Sequence, residues 1–263
     1  MVSYWHVFKL SFQRQLTYRT ANIAGLLTNL FFGLLRASVL IALYGSRLEV
    51  NGITLQGAVT YTGVTQALIA YLSLFGWWDL MNSVYKGSVA VDLLKPMNYF
   101  SFWLAQDLGR SLACFFLRGV PLLIGYAIFY PIYVPNKPDQ LAVLGLALIL
   151  SMLTSFAWRF LVNLAAFWTP NAQGIGRFAF GLSWFLSGFI MPLRFFPDWF
   201  VRIANFTPFP SMINTIIEIY LGVIRGPDSL QALLIQAVWF MGLVLVCQLV
   251  LKAGLHTLVI QGG

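Results

Sequence analysis

Six apolar stretches, each about 20 residues or longer and so long enough to cross a bilayer, occupy most of a chain of 263 residues. They fall at Ala21 to Gly45, Leu55 to Phe75, Leu108 to Tyr130, Leu141 to Trp168, Ile175 to Met191 and Leu230 to Leu251. This pattern predicts an all-α integral membrane protein, one transmembrane domain over 1–263, with no room for a soluble domain. Any activity is then confined to the bilayer, to short loops, or to partner chains that dock on those loops. The first stretch is longer than a signal-peptide core and lacks a small-residue cleavage site, so it is expected to stay in the mature protein.

Composition agrees, with 59% hydrophobic and 9% charged residues. The net charge of +8 would suggest nucleic acid in a soluble protein. In a membrane protein, lysines and arginines instead mark the cytoplasmic side, and no nucleic-acid partner is expected. With the N-terminus inside, the inner side holds Lys9, Arg14, Arg19, Lys86, Lys95, Arg110, Arg177 and Lys252, and the outer side holds Arg47, Lys137, Arg194, Arg202 and Arg225. The bias favours cytoplasmic termini. Cys114 and Cys247 lie inside apolar stretches, with neither metal-ligand nor disulfide spacing.

Three segments do not span. In Met1 to Thr20, Trp5, Phe8, Phe12 and Leu16 recur at helical spacing, which predicts an interfacial helix on anionic lipid. In the inner connection 76–107, Gly87 and Pro96 punctuate a short amphipathic helix from Ser88 to Leu94, a shape suited to a groove on a soluble partner. The outer connection 188–228 carries Gly188, Pro192, Pro197, Trp199, Pro208 and Pro210. Its apolar run from Met212 to Leu221 is too short to span, so it reads as re-entrant or interfacial pieces. Non-helical backbone at membrane depth is tolerated only where protein or a water-filled cavity satisfies it.

The six-span layout, the inner Gly87 to Lys95-Pro96 motif and the outer Ser187-Gly188, Pro192, Pro197-x-Trp199 and Pro208 string together resemble the membrane subunits of ABC type-2 exporters, notably viologen-exporter and daunorubicin-exporter-like permeases. The resemblance covers nearly the whole chain. It implies a multi-pass permease of a bacterial-type inner membrane, paired with a second identical or paralogous permease. It also implies separate ABC ATPase subunits that carry ATP and magnesium, with no cofactor and no catalytic or metal site on this chain. By position it makes 1–20 an elbow helix and assigns ATPase coupling to Lys86, Gly87, Asp92, Lys95 and Pro96. The outer gate falls to Gly188, Pro192, Pro197, Trp199 and Pro208, and the implied substrate is an amphipathic drug-like or xenobiotic compound. Relatives often carry an acid directly after the glycine, where this chain has Ser88. The chain has no G-x-x-x-x-G-K-[ST] loop, so ATP is expected on another subunit.

Arg36, Arg118 and Arg159 fall within predicted spans, where a charge is expensive and points to function. Arg36 and Arg118 either line a polar route or are held by headgroups, aromatic faces and backbone carbonyls. For Arg159, near a span end, snorkelling or such local partners is the expectation. An ion-coupled secondary transporter is the alternative, but it usually needs intramembrane acids or histidines. Asp79 and Asp107 read as span-edge residues and Glu218 as outer. A membrane enzyme ranks lower, because His6 and His256 lie at opposite ends and Ser183 lacks a nucleophile elbow.

Overall fold

The structure is a computed structural model that describes residues 4–169 and 171–257; Met1 to Ser3 of the expected elbow helix lie outside them. Apart from one two-stranded hairpin, the regular structure among the described residues is helical. Helix α1 (Tyr4–Thr17) leads into α2 (Arg19–Tyr44). The hairpin of β1 (Glu49–Val50) and β2 (Ile53–Thr54) then turns the chain back into α3 (Leu55–Leu72). The inner connection holds α4 (Asp79–Tyr85) and α5 (Val89–Leu93). Next come α6 (Tyr99–Cys114), a π-helical turn at Phe115–Gly119, and α7 (Val120–Phe129), which form one continuous rod. Helix α8 (Pro138–Asn163) is followed by α9 (Gln173–Leu186), α10 (Asp198–Asn205), α11 (Asn214–Tyr220) and the long α12 (Pro227–Thr257).

Four rods, Arg19–Tyr44, Tyr99–Phe129, Pro138–Phe167 and Pro227–Thr257, are long and apolar enough to cross a bilayer. Helix α3 carries Thr60, Thr62, Thr65 and Gln66, which lower its apolarity, and every residue from Gly57 to Leu72 is buried. Its three threonine hydroxyls return hydrogen bonds of 2.7, 3.1 and 2.7 Å to carbonyls one turn back. The threonine hydroxyls of a helix at the centre of an apolar bundle are therefore satisfied within the helix itself. Helix α9 has 14 residues and is about 21 Å long, shorter than the expected fifth span.

Side-chain contacts fix the helix directions. Tyr126 packs on Gly33 of α2 and the Ser38 and Tyr130 hydroxyls lie 3.1 Å apart, so α2 runs parallel to α6 and α7. Gln236 and Cys247 reach the Ala147 and Ala157 carbonyls at 3.4 and 3.2 Å, which makes α8 and α12 parallel. Tyr61 Oη donates to the Gly188 carbonyl at 2.7 Å, and Trp184 Nε1 to Leu74 at 2.6 Å. These two bonds make α9 antiparallel to α3.

Helix α1 packs lengthwise on the first half of α6. Tyr4 Oη accepts from the Asn98 amide at 3.2 Å, Ser11 Oγ donates to the Gln106 carbonyl at 2.6 Å, and Gly109 lies against the backbone of Phe8 and Phe12. The third long helix starts at Tyr99 rather than near Leu108. Asn98, two residues after Pro96, caps it by accepting from the Ser101 amide at 3.0 Å. The cap sets the boundary, although the hydropathy rises later.

Candidate functional site

The inner connection folds as two short helices on a rigid mount. Gly87 turns the chain with φ +73, and α5 ends just before Pro96, close to the predicted bounds of Ser88 to Leu94. Asp92 accepts from Ser83 Oγ at 2.7 Å and pairs with Lys95 Nζ at 2.7 Å, while Lys95 also lies 4.0 Å from the Phe102 ring centroid. Both charges thus hold α5 to its neighbours. Tyr85, Lys86, Val91, Leu94 and Pro96 are left exposed, with Leu94 84% exposed. Beneath them, Asn163 of α8 donates to the Trp77 carbonyl at 2.7 Å and accepts from the Met81 amide at 3.1 Å. Edge-on contacts of Trp77, Trp103, Tyr99, Phe100 and Phe160 fill the space behind.

Above this mount lies an ion cluster that sequence reasoning missed. Asp107 is buried about two turns inside α6. Arg159 holds it with two bonds of 3.0 and 2.7 Å, and Arg110 adds a third of 2.8 Å. Arg159 is only 2% exposed. The snorkelling expected of it is therefore corrected: it is ion-paired across helices, because Asp107 presents both oxygens at its level. Arg110 is likewise not an inner-loop cation. It donates to the Ala70 and Tyr71 carbonyls at 2.8 and 3.2 Å, compensating the negative end of α3. Ser155 takes the Leu72 carbonyl at 3.0 Å. The inner end of α3, the start of the inner connection and helices α6 and α8 are joined in one polar network.

The outer connection bends sharply after α9. Gly188 has φ +81, and a Cβ there would stand 2.6 Å from Tyr61 Oη and 3.0 Å from Asn214, so both backbone and space require glycine. Asn214 is the hub. Its Oδ1 accepts from Tyr61 Oη at 3.0 Å and from the Leu193 amide at 3.1 Å, and its own amide donates to the Ser187 carbonyl at 3.0 Å. Pro192 precedes a short turn at Leu193–Phe195, Pro197 precedes α10, and Pro208 precedes a turn at Phe209–Met212. Trp199 is exposed on α10. The Met212 carbonyl accepts from Ser151 in mid-α8 at 2.5 Å, whereas Ile219 and Tyr220 meet Gln140 near the start of α8 at 2.8 Å. The segment from Met212 through α11 therefore follows α8 from Ser151 back to Gln140, about 16 Å along that helix. Arg194 clamps buried Glu218 at 2.7 and 3.1 Å, and cavities of about 440 and 460 Å³ flank the pair.

Two of the three predicted intramembrane arginines are separated. Arg36 donates to the Phe189 carbonyl at 3.2 Å and stacks 4.6 Å from the Phe189 ring centroid, which ties α2 to the outer bend. Arg118 sits on the π-helical turn against Gly25, and its Nε is buried with no acceptor among the described residues.

The pattern described as ABC-2 family transporter protein matches residues 30–262. The chain belongs to the ABC-2 transporter family. That match spans the inner connection, the ion cluster and the outer bend. As an ABC-2 protein it is a multi-pass membrane permease, the transport subunit of a system whose ATPase subunits are its partners. A search of curated proteins found no match.

The residues missed from sequence, Tyr61, Asp107, Arg110, Asn163 and Asn214, share one property. Each has at least one partner far away along the chain, as with Asp107 and Arg159 or Tyr61 and Asn214. The Asn98 cap was the available signal for Asp107, since it starts the helix early enough to bury that carboxylate.

Proposed function

We propose that this permease is half of an ATP-driven exporter of amphipathic drug-like compounds, with six crossings and both termini cytoplasmic in a bacterial-type inner membrane. Two chains, identical or paralogous, pair around the pathway, and two ATPase subunits dock beneath. The alternating directions of α2, α3, the α6–α7 rod, α8, α9 and α12 support the six-crossing reading. In this reading α1 is the elbow helix, and the segment from Gly188 through α11 is a re-entrant gate whose carbonyls are satisfied by Tyr61, Ser151 and Gln236. Arg36 steadies that gate, while Arg118 faces the pathway.

The observation that carries the proposal is the outward face of α5. Val91 and Leu94 are exposed on an element whose charged groups are used internally, and it is anchored through α4 and Asn163 to the bundle. A soluble groove closing on Tyr85, Val91 and Leu94 would move the inner end of α3 with it. The ion-coupled alternative finds no support in Asp107, because both its oxygens are held by arginines.

The docking face is tested by the double substitution Val91→Glu and Leu94→Glu. Both sites are exposed, so the permease should keep its thermal stability while the amount of ATPase subunit that copurifies with it falls at least tenfold. Unchanged copurification would remove α5 from the interface.

A further inference from the structure

A polar cavity of about 380 Å³ lies where α1 meets α2, between the turn after α3 and the first half of α6. Arg14, Gln15, Asn82, Gln106 and Arg110 line it. Its chemistry is that of an anion site with unused donors. Among the described residues the Arg14 guanidinium forms no ion pair, and it lies 5.9 Å from the Tyr18 ring centroid. Arg110 spends its Nε on Asp107, both protons of one terminal nitrogen on Tyr71 and Ser111, and one proton of the other on Ala70. One N–H remains. The side-chain amides of Gln15, Asn82 and Gln106 make no hydrogen bond among the described residues.

Charge points the same way. Asp107 is shared by Arg110 and Arg159, so the buried cluster keeps one positive charge beyond its acid, offset in part by the C-terminal carbonyls of α3. Arg14 adds a second at the rim. Asp79, exposed at the start of α4, is the acid on the opposite wall. Two arginines against one free carboxylate fit a phosphate, with room for an ammonium or hydroxyl group beside Asp79. The cavity wall also carries Tyr18, Trp77 and Trp78, the aromatic residues that settle at headgroup depth.

We propose that this cavity binds phosphate, and that its occupant is the phosphodiester of a phospholipid headgroup, wedged between α1 and the start of the inner connection. The leaflet, the cytoplasmic one, rests on the orientation proposed above. The binding itself does not. A headgroup there would touch both Arg110, which holds the end of α3, and the turn that leads to α4 and α5, so lipid occupancy would stiffen the element that meets the ATPase.

The test is retention of phospholipid by the purified full-length chain in mild detergent, read by native mass spectrometry without ATP or transport, so it stands apart from the exporter reading. The expected result is one phospholipid per chain for the unaltered protein. Arg14→Glu and Gln106→Glu should each lower retention about tenfold, and Lys252→Glu, the same kind of charge change on an exposed part of α12, should leave it intact. Two further arms give the delipidated chain either inorganic phosphate or short-chain phosphatidylglycerol and phosphatidylethanolamine, and record the thermal shift. Stabilisation by the lipids that is lost in Arg14→Glu supports the proposal. Equal stabilisation by inorganic phosphate would make this a free-phosphate site. No retained lipid, or equal losses in Lys252→Glu, would overturn it.

Discussion

Asp107→Asn is expected to cost about 3–5 kcal/mol of stability, because it leaves Arg159 charged, buried and without its counter-ion. Fluorescence-detected size-exclusion after heating should show the apparent Tm falling by roughly 10 °C, with lower accumulation in the membrane. The asymmetry of the cluster gives a sharper expectation. Arg159→Leu alone should be milder, since Asp107 keeps its bond to Arg110 at 2.8 Å. The double variant Asp107→Asn with Arg159→Leu should recover much of the loss, because Arg110 still has the α3 carbonyls. An Asp107→Asn protein as stable as the parent would mean that Arg159 is not buried against this carboxylate.

The outer bend gives the second large effect. Gly188→Val forces a β-branched residue to φ +81, which costs about 1–3 kcal/mol in backbone strain, and drives its side chain into Tyr61 and Asn214. The new side chain also breaks the Tyr61 bond to the Gly188 carbonyl. Loss of folded protein is expected for valine, a smaller deficit for Gly188→Ala, and the smallest for Tyr61→Phe, which removes one buried donor at about 1–3 kcal/mol. Thermal unfolding of the three variants should follow that order. A Gly188→Val protein of parental stability would contradict the bend.

Local signals were legible in the sequence wherever the physics is local. Gly87 and Pro96 bracket α5 because a left-handed turn and a missing amide act on their own neighbours. Gly188, Pro192, Pro197 and Pro208 mark the outer bend for the same reason, and Trp5, Phe8 and Phe12 mark α1 by spacing. The start of the third long helix was misjudged because Gln106, Asp107 and Arg110 lower the hydropathy where the bundle, not the lipid, receives them. Arg159 was misread for a related reason, since its acid lies on another helix. Helix α3 read as an ordinary span, yet it is the buried centre, and its threonines are explained only by neighbours on every side. The hub at Asn214 gave no local sign, as its partners come from α3, from the end of α9 and from the turn at Leu193.

These features converge on transmission. The ion cluster joins α3, α6 and α8, Asn163 joins α8 to α4, and Tyr61 of α3 holds the outer bend. In the proposed reading, movement imposed on α5 reaches Gly188 through one buried helix. The most direct test is ATP-dependent accumulation of an amphipathic fluorescent dye in inside-out proteoliposomes that hold this permease and the ATPase subunit that copurifies with it. Accumulation is expected to need both chains and ATP, and to vanish with Val91→Glu and Leu94→Glu while the permease stays folded. Accumulation by the permease alone, or undiminished in that variant, would contradict it.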